Sequence, residues 1–125
     1  MILGIGMDVV EVPRFEEALE RHGERLRARF FTPAEMAYCD ERPDYAMHMA
    51  ARFAAKEAFS KALGSGIARG IRWVDVEVVR GENGRPTLLL HAKAAELFKQ
   101  LGAKSIWMTM THTQTVAAAT VILES

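Results

Sequence analysis

Cysteine is almost missing from this 125-residue chain, in which Cys39 stands alone. A single cysteine cannot form a disulfide within the chain, and it offers none of the spacings of cysteine metal ligands. An excess of charge of one sign is missing as well, because 16 basic residues balance 16 acidic ones. Without an overall positive field, nucleic acid is not an expected partner, and an acidic partner would have to meet a local basic patch.

Long apolar runs are also absent, since no stretch approaches the roughly 18 residues of a membrane span. The first residues lack the basic start and apolar run that are typical of a signal peptide. We therefore expect no membrane partner and a cytoplasmic location. No internal repeat or low-complexity segment interrupts the chain, and its length suits a single domain, 1–125.

The order of apolar patterns predicts an α+β fold with a mainly antiparallel sheet. Residues 2–9 form a short apolar run, which is typical of a buried strand that ends at Asp8. The second half is rich in strand patterns, two of which flank a Gly-Glu-Asn-Gly turn and predict a hairpin. The predicted strands are 2–9, 73–80, 86–91, 105–113 and 115–124. The predicted helices are 12–29, interrupted near Gly23, and 33–42, 45–63 and 92–101.

The predicted helix 45–63 carries a concentrated group of polar residues. Glu57, Ser60, Lys61 and Gly64 lie at offsets of 0, 3, 4 and 7 and therefore share one face. This spacing fits a solvated face with an ordinary ion pair between Glu57 and Lys61, and it also fits a ligand site. The glycine-rich loop that begins at Gly64 follows the helix instead of preceding it, which excludes a nucleotide-binding P-loop.

Asp8 and His112 are polar residues on predicted strands. A lone carboxylate is costly to bury, so Asp8 is either a turn or capping residue or a metal ligand. Together with Glu57 it would suit Mg²⁺, which binds through a few carboxylates. Spacing along the chain leaves open whether the two meet. His112 lies opposite a row of threonines and fits a structural, an exposed or a catalytic role. The four histidines have no zinc-site spacing.

Arginines crowd the first predicted helix, where glutamates are interleaved with them. This composition is typical of a salt-bridged, solvated helix. Because arginine favours carboxylate and phosphate recognition, a docking surface for an acidic protein is a second interpretation. The arginines are Arg14, Arg21, Arg25, Arg27 and Arg29.

Several segments, in order along nearly the whole chain, resemble the holo-acyl-carrier-protein synthases, the short type of 4′-phosphopantetheinyl transferase. The most specific is the central run Ala-Arg-Phe-Ala-Ala-Lys-Glu-Ala-Phe-Ser-Lys-Ala-Leu-Gly-Ser-Gly at 51–66. Ser65 stands where the family commonly has threonine and keeps the hydroxyl, whereas 25–49 resembles the family least. The matching segments are 4–11, 51–66, 73–78, 84–86 and 110–113, with 117–119 and 121–124 closing the series.

The resemblance implies a fold, an oligomer and a reaction. The family fold is α+β, with a mainly antiparallel sheet packed against a long helix, and its subunits form a homotrimer with active sites in the clefts between them. The enzyme transfers the 4′-phosphopantetheine group of coenzyme A to a serine of an apo acyl carrier protein and releases adenosine 3′,5′-bisphosphate. We expect Mg²⁺ as its cofactor and fatty acid biosynthesis as its pathway.

The resemblance also assigns residues by position. Asp8 and Glu57 would bind Mg²⁺. Glu57 would take the serine proton, unless a metal-bound water does so, and Lys61 would stabilise or protonate the leaving group. Arg52 and His112 would hold the nucleotide end of coenzyme A. The other expected contacts are Ser60, Gly64, Ser65 and Gly66 in the coenzyme A pocket, and Arg14 and Arg21 at the carrier protein.

Two other functions fit parts of the sequence. A non-enzymatic module that binds an acidic protein would use the arginine-rich helix and would need neither Asp8 nor Lys61. A Mg²⁺-dependent phosphatase or nuclease would use the carboxylates, but the zero net charge argues against nucleic acid. The carrier that is modified stays open among fatty-acid, polyketide and other carriers.

Overall fold

A computed structural model describes residues 1–64 and 69–125 and confirms the α+β order of elements. The strands are β1 (Ile2–Glu11), β2 (Val76–Arg80), β3 (Pro86–Leu90), β4 (Ser105–His112) and β5 (Val116–Glu124). The helices are α1 (Val12–Phe30), α2 (Pro33–Asp40), α3 (Tyr45–Leu63) and α4 (Ala92–Leu101), with a short 3-10 helix at Trp73–Asp75. Helix α3 therefore has the predicted bounds.

The strands pair antiparallel, as predicted, but in two separate sheets. Strands β1, β5 and β4 form a three-stranded sheet in that order, while β2 and β3 form a two-stranded hairpin. The prediction that β1 ends at Asp8 is wrong. Asp8 pairs with Ala119, and pairing continues until Glu11 faces Val116, because β5 is long enough to hold the last residues of β1. Asp8 is therefore a strand residue and not a turn residue.

Local chemistry accounts for the helix starts and for one break. Gly23 adopts φ 60° and ψ −142° and interrupts α1 where the sequence predicted a break. The Thr32 side chain accepts from the Glu35 amide, and Glu35 accepts in return from the Thr32 amide, which forms the predicted capping box of α2. Helix α2 ends at Asp40 and not at Arg42.

The predicted strand 73–80 begins three residues late, at Val76. The Asp75 side chain accepts from the Arg72 amide at 3.0 Å and from its guanidinium at 2.9 Å. This local cap stabilises a 3-10 turn over Trp73–Asp75, which replaces the first residues of the expected strand.

Helix α3 packs on β1 at backbone-to-backbone distance. A Cβ atom added to Gly4 would lie 2.0 Å from the carbonyl oxygen of Ala62, and one added to Gly6 would lie 1.8 Å from that of Ala58. Only glycine permits such an approach, and the alanine-rich side of α3 supplies the complementary small surface. Because Asp8 is two residues beyond Gly6, its side chain leaves β1 on the side that faces α3.

A buried ion pair joins α2, α3 and β2. Lys56 is fully buried, and its ammonium group lies 2.8 Å from Glu35 Oε1 and 2.8 Å from the Val76 carbonyl oxygen. Glu35 is also buried and accepts from the amide of Val78 at 2.9 Å and from that of Thr32 at 2.9 Å. These bonds satisfy both charges, which a buried ion pair requires.

Among the residues that the structure describes, no helix combines the length and the apolar character needed to cross a bilayer.

Candidate active site

Asp8, Glu57 and Lys61 come together where α3 crosses β1. The ammonium nitrogen of Lys61 donates to Asp8 Oδ1 at 2.9 Å and to the Met7 carbonyl oxygen at 3.1 Å. The Asp8 side chain is 18% exposed and that of Lys61 is 54% exposed, so the pair opens to solvent on one side. The glycine contacts of β1 with α3 bring these residues within reach of one another.

Glu57 carries the clearest electrostatic signal in this group. Burial raises the pKa of Glu57, and the Asp8 charge raises that pKa further, while Lys61 opposes the rise. Two carboxylates that repel each other at a half-open site form a natural place for a cation. In the free chain, the described residue that supplies positive charge there is Lys61.

Three arginines surround the ring of Tyr38. The guanidinium carbons lie 3.5 Å from the ring centroid for Arg42, 4.1 Å for Arg52 and 5.1 Å for Arg80. Burial alone would raise the pKa of Tyr38, but the hydrogen bond from Arg80 leaves it below the usual range. In the part of the chain described, no carboxylate forms an ion pair with any of the three arginines. The cluster therefore has unneutralised positive charge.

Arg52 is the buried member of this arginine cluster. It is 4% exposed, and its Nε atom is buried without a hydrogen-bond partner among the described residues. A buried polar atom without a protein partner is rare and points to a bound water, ion or ligand. The arginine cluster can therefore hold an anion. The sequence predicts Arg52 but not Tyr38, Arg42 or Arg80, because residues 25–49 lack recognisable motifs and Arg80 lies far along the chain on β2.

His112 is the last residue of β4 and lies near the start of α3. Its ring centroid is 5.1 Å from that of His48, whose backbone carbonyl oxygen accepts from Arg52 at 3.4 Å. The imidazole of His112 is thus connected, through His48, to the arginine cluster. The structure places Arg52 and His112 in one neighbourhood.

An apolar cleft of about 560 Å³ extends from Asp8 along α1. Arg14 lines this cleft, whereas Arg21 does not and instead pairs with Glu17 at 2.8 Å on an exposed surface. The two predicted docking arginines therefore lie on one helix, but only Arg14 shares the cleft with Asp8. The apolar lining includes Val10, Phe15, Leu26, Phe30 and Phe53.

The remaining predicted site residues lie at the end of α3. Ser60 follows Glu57 by three residues on this helix. Gly64 ends the helix with φ 102°, and its amide donates to the carbonyl oxygens of Ser60 and Lys61. Ser65 and Gly66, the other two predicted loop residues, lie outside the described residues.

A family model, the 4′-phosphopantetheinyl transferase superfamily, matches residues 4–121. The chain belongs to this superfamily. It is 47% identical to the holo-[acyl-carrier-protein] synthase of Koribacter versatilis over 99% of both chains. It is 51% identical to that of Anaeromyxobacter dehalogenans, over 99% of this chain and 97% of the relative. The resemblance of the sequence motifs to this family is thereby confirmed.

Solved structures give the same result. The holo-[acyl-carrier-protein] synthase of Neisseria meningitidis superposes with a TM-score of 0.91 at 27% identity and full coverage of both chains. The enzyme from Bacillus anthracis, determined in complex with CoA (3′,5′-ADP), has a TM-score of 0.82 at 31% identity and covers 100% of this chain and 98% of that one. This member of the superfamily is therefore an enzyme, a phosphopantetheinyl transferase of the holo-[acyl-carrier-protein] synthase type.

Proposed function

We propose that this transferase moves the 4′-phosphopantetheine group from coenzyme A to a serine of an apo acyl carrier protein, with Mg²⁺ as cofactor, and releases adenosine 3′,5′-bisphosphate. The observation that carries the proposal is the cluster of Asp8, Glu57 and Lys61 at the contact of β1 with α3. It supplies two carboxylates, which can bind a metal ion and accept a proton, and an ammonium group, which can stabilise a phosphate. A cytoplasmic role in fatty acid biosynthesis remains part of the proposal.

The residues present fit Mg²⁺. Asp8 and Glu57 offer oxygen donors, and the pKa of Glu57 is raised first by burial and then by the Asp8 charge, a repulsion that a cation would relieve. Asp8 and Glu57 would hold the ion. When bound, it neutralises phosphate oxygens and stabilises the departing phosphate.

Two side chains of α3, Glu57 and Lys61, would transfer the proton and stabilise the leaving group. Glu57 is the candidate to accept the serine proton, because its carboxylate lies beside Asp8 and Lys61 in the same cluster. Lys61 lies four residues beyond Glu57, one helical turn along α3. Its half-exposed ammonium group can reach a substrate phosphate and stabilise the negative charge that develops on the leaving group.

The arginine cluster around Tyr38 suits the 3′-phosphate of coenzyme A. Arg52 was expected there, and Arg42 and Arg80 add two further guanidinium groups with no acidic partner among the described residues. Arginine binds phosphate with paired N–H donors, and the lone buried Nε of Arg52 is consistent with such a ligand. His112 would contact the same nucleotide. Ser60, Gly64, Ser65 and Gly66 would line the pocket.

The carrier protein would dock on α1 through Arg14 and Arg21. These side chains can pair with an acidic helix, and Arg14 shares the cleft that opens beside Asp8. A carrier held at Arg14 would thus present its serine toward the carboxylates. The Arg21–Glu17 pair is exposed and weak, so it would exchange readily for a carrier carboxylate.

A homotrimer is part of this proposal. One face of β1 turns Gly4, Gly6 and Asp8 toward α3, whereas the alternate residues are exposed. Ile5 is 61% exposed and Met7 is 59% exposed, and Trp107 of β4 is 51% exposed. Such an apolar sheet face is typical of a subunit interface. Light scattering of the purified chain would test this, with three chains per particle as the expected result.

A mass-shift assay tests the transferase activity. The enzyme is incubated with coenzyme A, Mg²⁺ and several apo carriers, and intact-protein mass spectrometry detects a phosphopantetheine adduct on the carrier serine. We expect Asp8→Ala and Glu57→Ala to abolish the adduct and Glu82→Ala, an exposed carboxylate in the β2–β3 turn, to retain it. Absence of an adduct on every carrier would contradict the proposal, and full activity of both site variants would contradict the assignment of the carboxylates.

A further inference from the structure

Asp44, His48 and His112 form a second cluster of ligand-type side chains, here called the His-Asp cluster. Asp44 immediately precedes α3, and His48 lies four residues later, so both side chains lie on the same side of the helix start. His48 Nε2 is 3.2 Å from Asp44 Oδ1. His112 comes from the end of β4, and one ligand atom from each of the three residues lies within 4.8 Å of the other two.

We propose that the His-Asp cluster binds a divalent transition metal ion of the zinc class. Two imidazole nitrogens and one carboxylate oxygen form a donor set that suits Zn²⁺, and three protein ligands leave one coordination position for water or a ligand atom. Mg²⁺ prefers oxygen donors, so this site differs in chemistry from the pair Asp8 and Glu57. Sequence spacing missed the cluster because His112 is 64 positions from His48 in the chain.

The charges around the His-Asp cluster determine when it binds metal. Asp44 attracts a cation, whereas Arg52 and Arg42 lie close enough to repel one. An anion bound at the arginine cluster would neutralise that repulsion. With one ring nitrogen of His112 on the metal and the other toward the nucleotide, metal and anion binding should therefore favour each other, and by linkage each should raise the affinity of the other by the same factor.

Cobalt titration of the full chain tests the metal site. Co²⁺ reports nitrogen ligation through its visible absorption, and saturating Mg²⁺ keeps the Asp8 and Glu57 site occupied. We expect one Co²⁺ per chain, displaced by Zn²⁺. His48→Gln and His112→Gln should each weaken binding at least tenfold, and Asp44→Asn should weaken it several-fold.

His22→Gln is the matched control, because His22 lies on α1 outside the cluster, and it should bind Co²⁺ as the wild type does. Circular dichroism of each variant verifies its fold. Wild-type affinity in both His48→Gln and His112→Gln would overturn the proposal, as would the absence of a Co²⁺ spectrum in the unmodified chain. The assay contains neither coenzyme A nor a carrier, so its outcome is separate from that of the transfer assay.

The coupling has its own test and rests on the proposed function. Zn²⁺ is titrated with and without adenosine 3′,5′-bisphosphate, and we expect the nucleotide to raise the Zn²⁺ affinity several-fold. The increase should disappear in Arg52→Gln, in which the anion loses its buried partner. An unchanged Zn²⁺ affinity in the presence of bound nucleotide would overturn the coupling.

Discussion

The ammonium nitrogen of Lys61 lies 2.9 Å from Oδ1 of Asp8, so one predicted catalytic group neutralises one predicted metal ligand in the free chain. The same nitrogen donates to the Met7 carbonyl oxygen at 3.1 Å. A cation that binds Asp8 must compete with this contact. Under the proposed function, Lys61 would leave Asp8 when Mg²⁺ binds and would then contact the substrate phosphate.

This competition predicts opposite effects of Lys61→Met on binding and on catalysis. Mg²⁺ affinity, measured by calorimetry, should rise several-fold because Asp8 loses its internal cation. The kcat for transfer should fall by about 10²-fold, which is typical for removing one stabilising donor from an active site. Lys93→Met, which removes an exposed lysine of α4, is the control and should change neither. Unchanged Mg²⁺ affinity in Lys61→Met would refute the competition.

Gly6→Ala should disrupt both the fold and the site. The new Cβ would lie 1.8 Å from the Ala58 carbonyl oxygen, so α3 must move away from β1. Overpacking of this kind costs about 1–3 kcal/mol, and we expect the upper end because the clash is with backbone. Urea denaturation measures the loss, and transfer activity should fall with it.

Gly81→Ala is the matched glycine control for that experiment. Its added Cβ has 3.4 Å to its nearest neighbour, the Arg85 carbonyl oxygen, so we expect only a small change in the free energy of unfolding. Equal stabilities of the two variants would mean that β1 and α3 can separate without penalty.

Removing one partner of the buried pair Lys56 and Glu35 should lower the free energy of unfolding far more than replacing both partners. Lys56→Met leaves the Glu35 carboxylate buried without its ion partner, and such a change costs about 3–5 kcal/mol. The double variant with Glu35→Gln removes that stranded charge and should be more stable than Lys56→Met alone. Additive losses in a double-mutant cycle, followed by thermal and urea unfolding, would show that the pair does not act as a unit.

Cys39 should react only slowly with thiol reagents in the folded chain. Burial raises the pKa of the Cys39 thiol to about 11, so at pH 8 only about one molecule in a thousand carries the reactive thiolate. A thiol reagent at pH 8 should therefore label it slowly in buffer and rapidly in guanidinium chloride. Rapid labelling of the native chain would contradict the buried position.

The raised pKa of Cys39 also determines how its contribution to folding stability changes with pH. The folded pKa of Cys39 lies above the unfolded value of about 8.5. The folded state therefore keeps its proton longer, and the contribution of Cys39 to stability is complete below pH 8.5 and declines as the pH rises toward 11. Cys39→Ala should remove this part of the alkaline decline, which urea denaturation between pH 8 and pH 11 would reveal.

Local patterns predicted much of this fold. The capping signals of α2, the break at Gly23 and the bounds of α3 follow from interactions within a few residues, and the structure has all three. The two errors in β1 and β2 arose where distant or side-chain contacts determine the strand ends. Pairing with β5 extends β1 beyond Asp8, and the Asp75 cap delays β2.

In the candidate site, too, features set by local spacing were predicted, whereas those set by distant contacts were not. Helical spacing placed Glu57 and Lys61 on one face, but the meeting of that face with Asp8 depends on Gly4 and Gly6, whose importance appears only when α3 packs on β1. Tyr38 and its arginines come together from α2, the loop after it, α3 and β2, so no short motif could reveal them. The roles of the individual residues stay predictions until the variants are measured.

The alternation of β1 has a consequence for how this sequence can change. Even-numbered positions 4, 6 and 8 serve the helix contact and the carboxylate, while odd-numbered positions 5, 7 and 9 form the exposed apolar face. A deletion or insertion of one residue between Gly4 and Asp8 would exchange the two sets, turning the carboxylate outward and the bulky side chains toward α3. Length changes in this segment are therefore constrained by parity, and we expect single-residue indels there to be eliminated by selection.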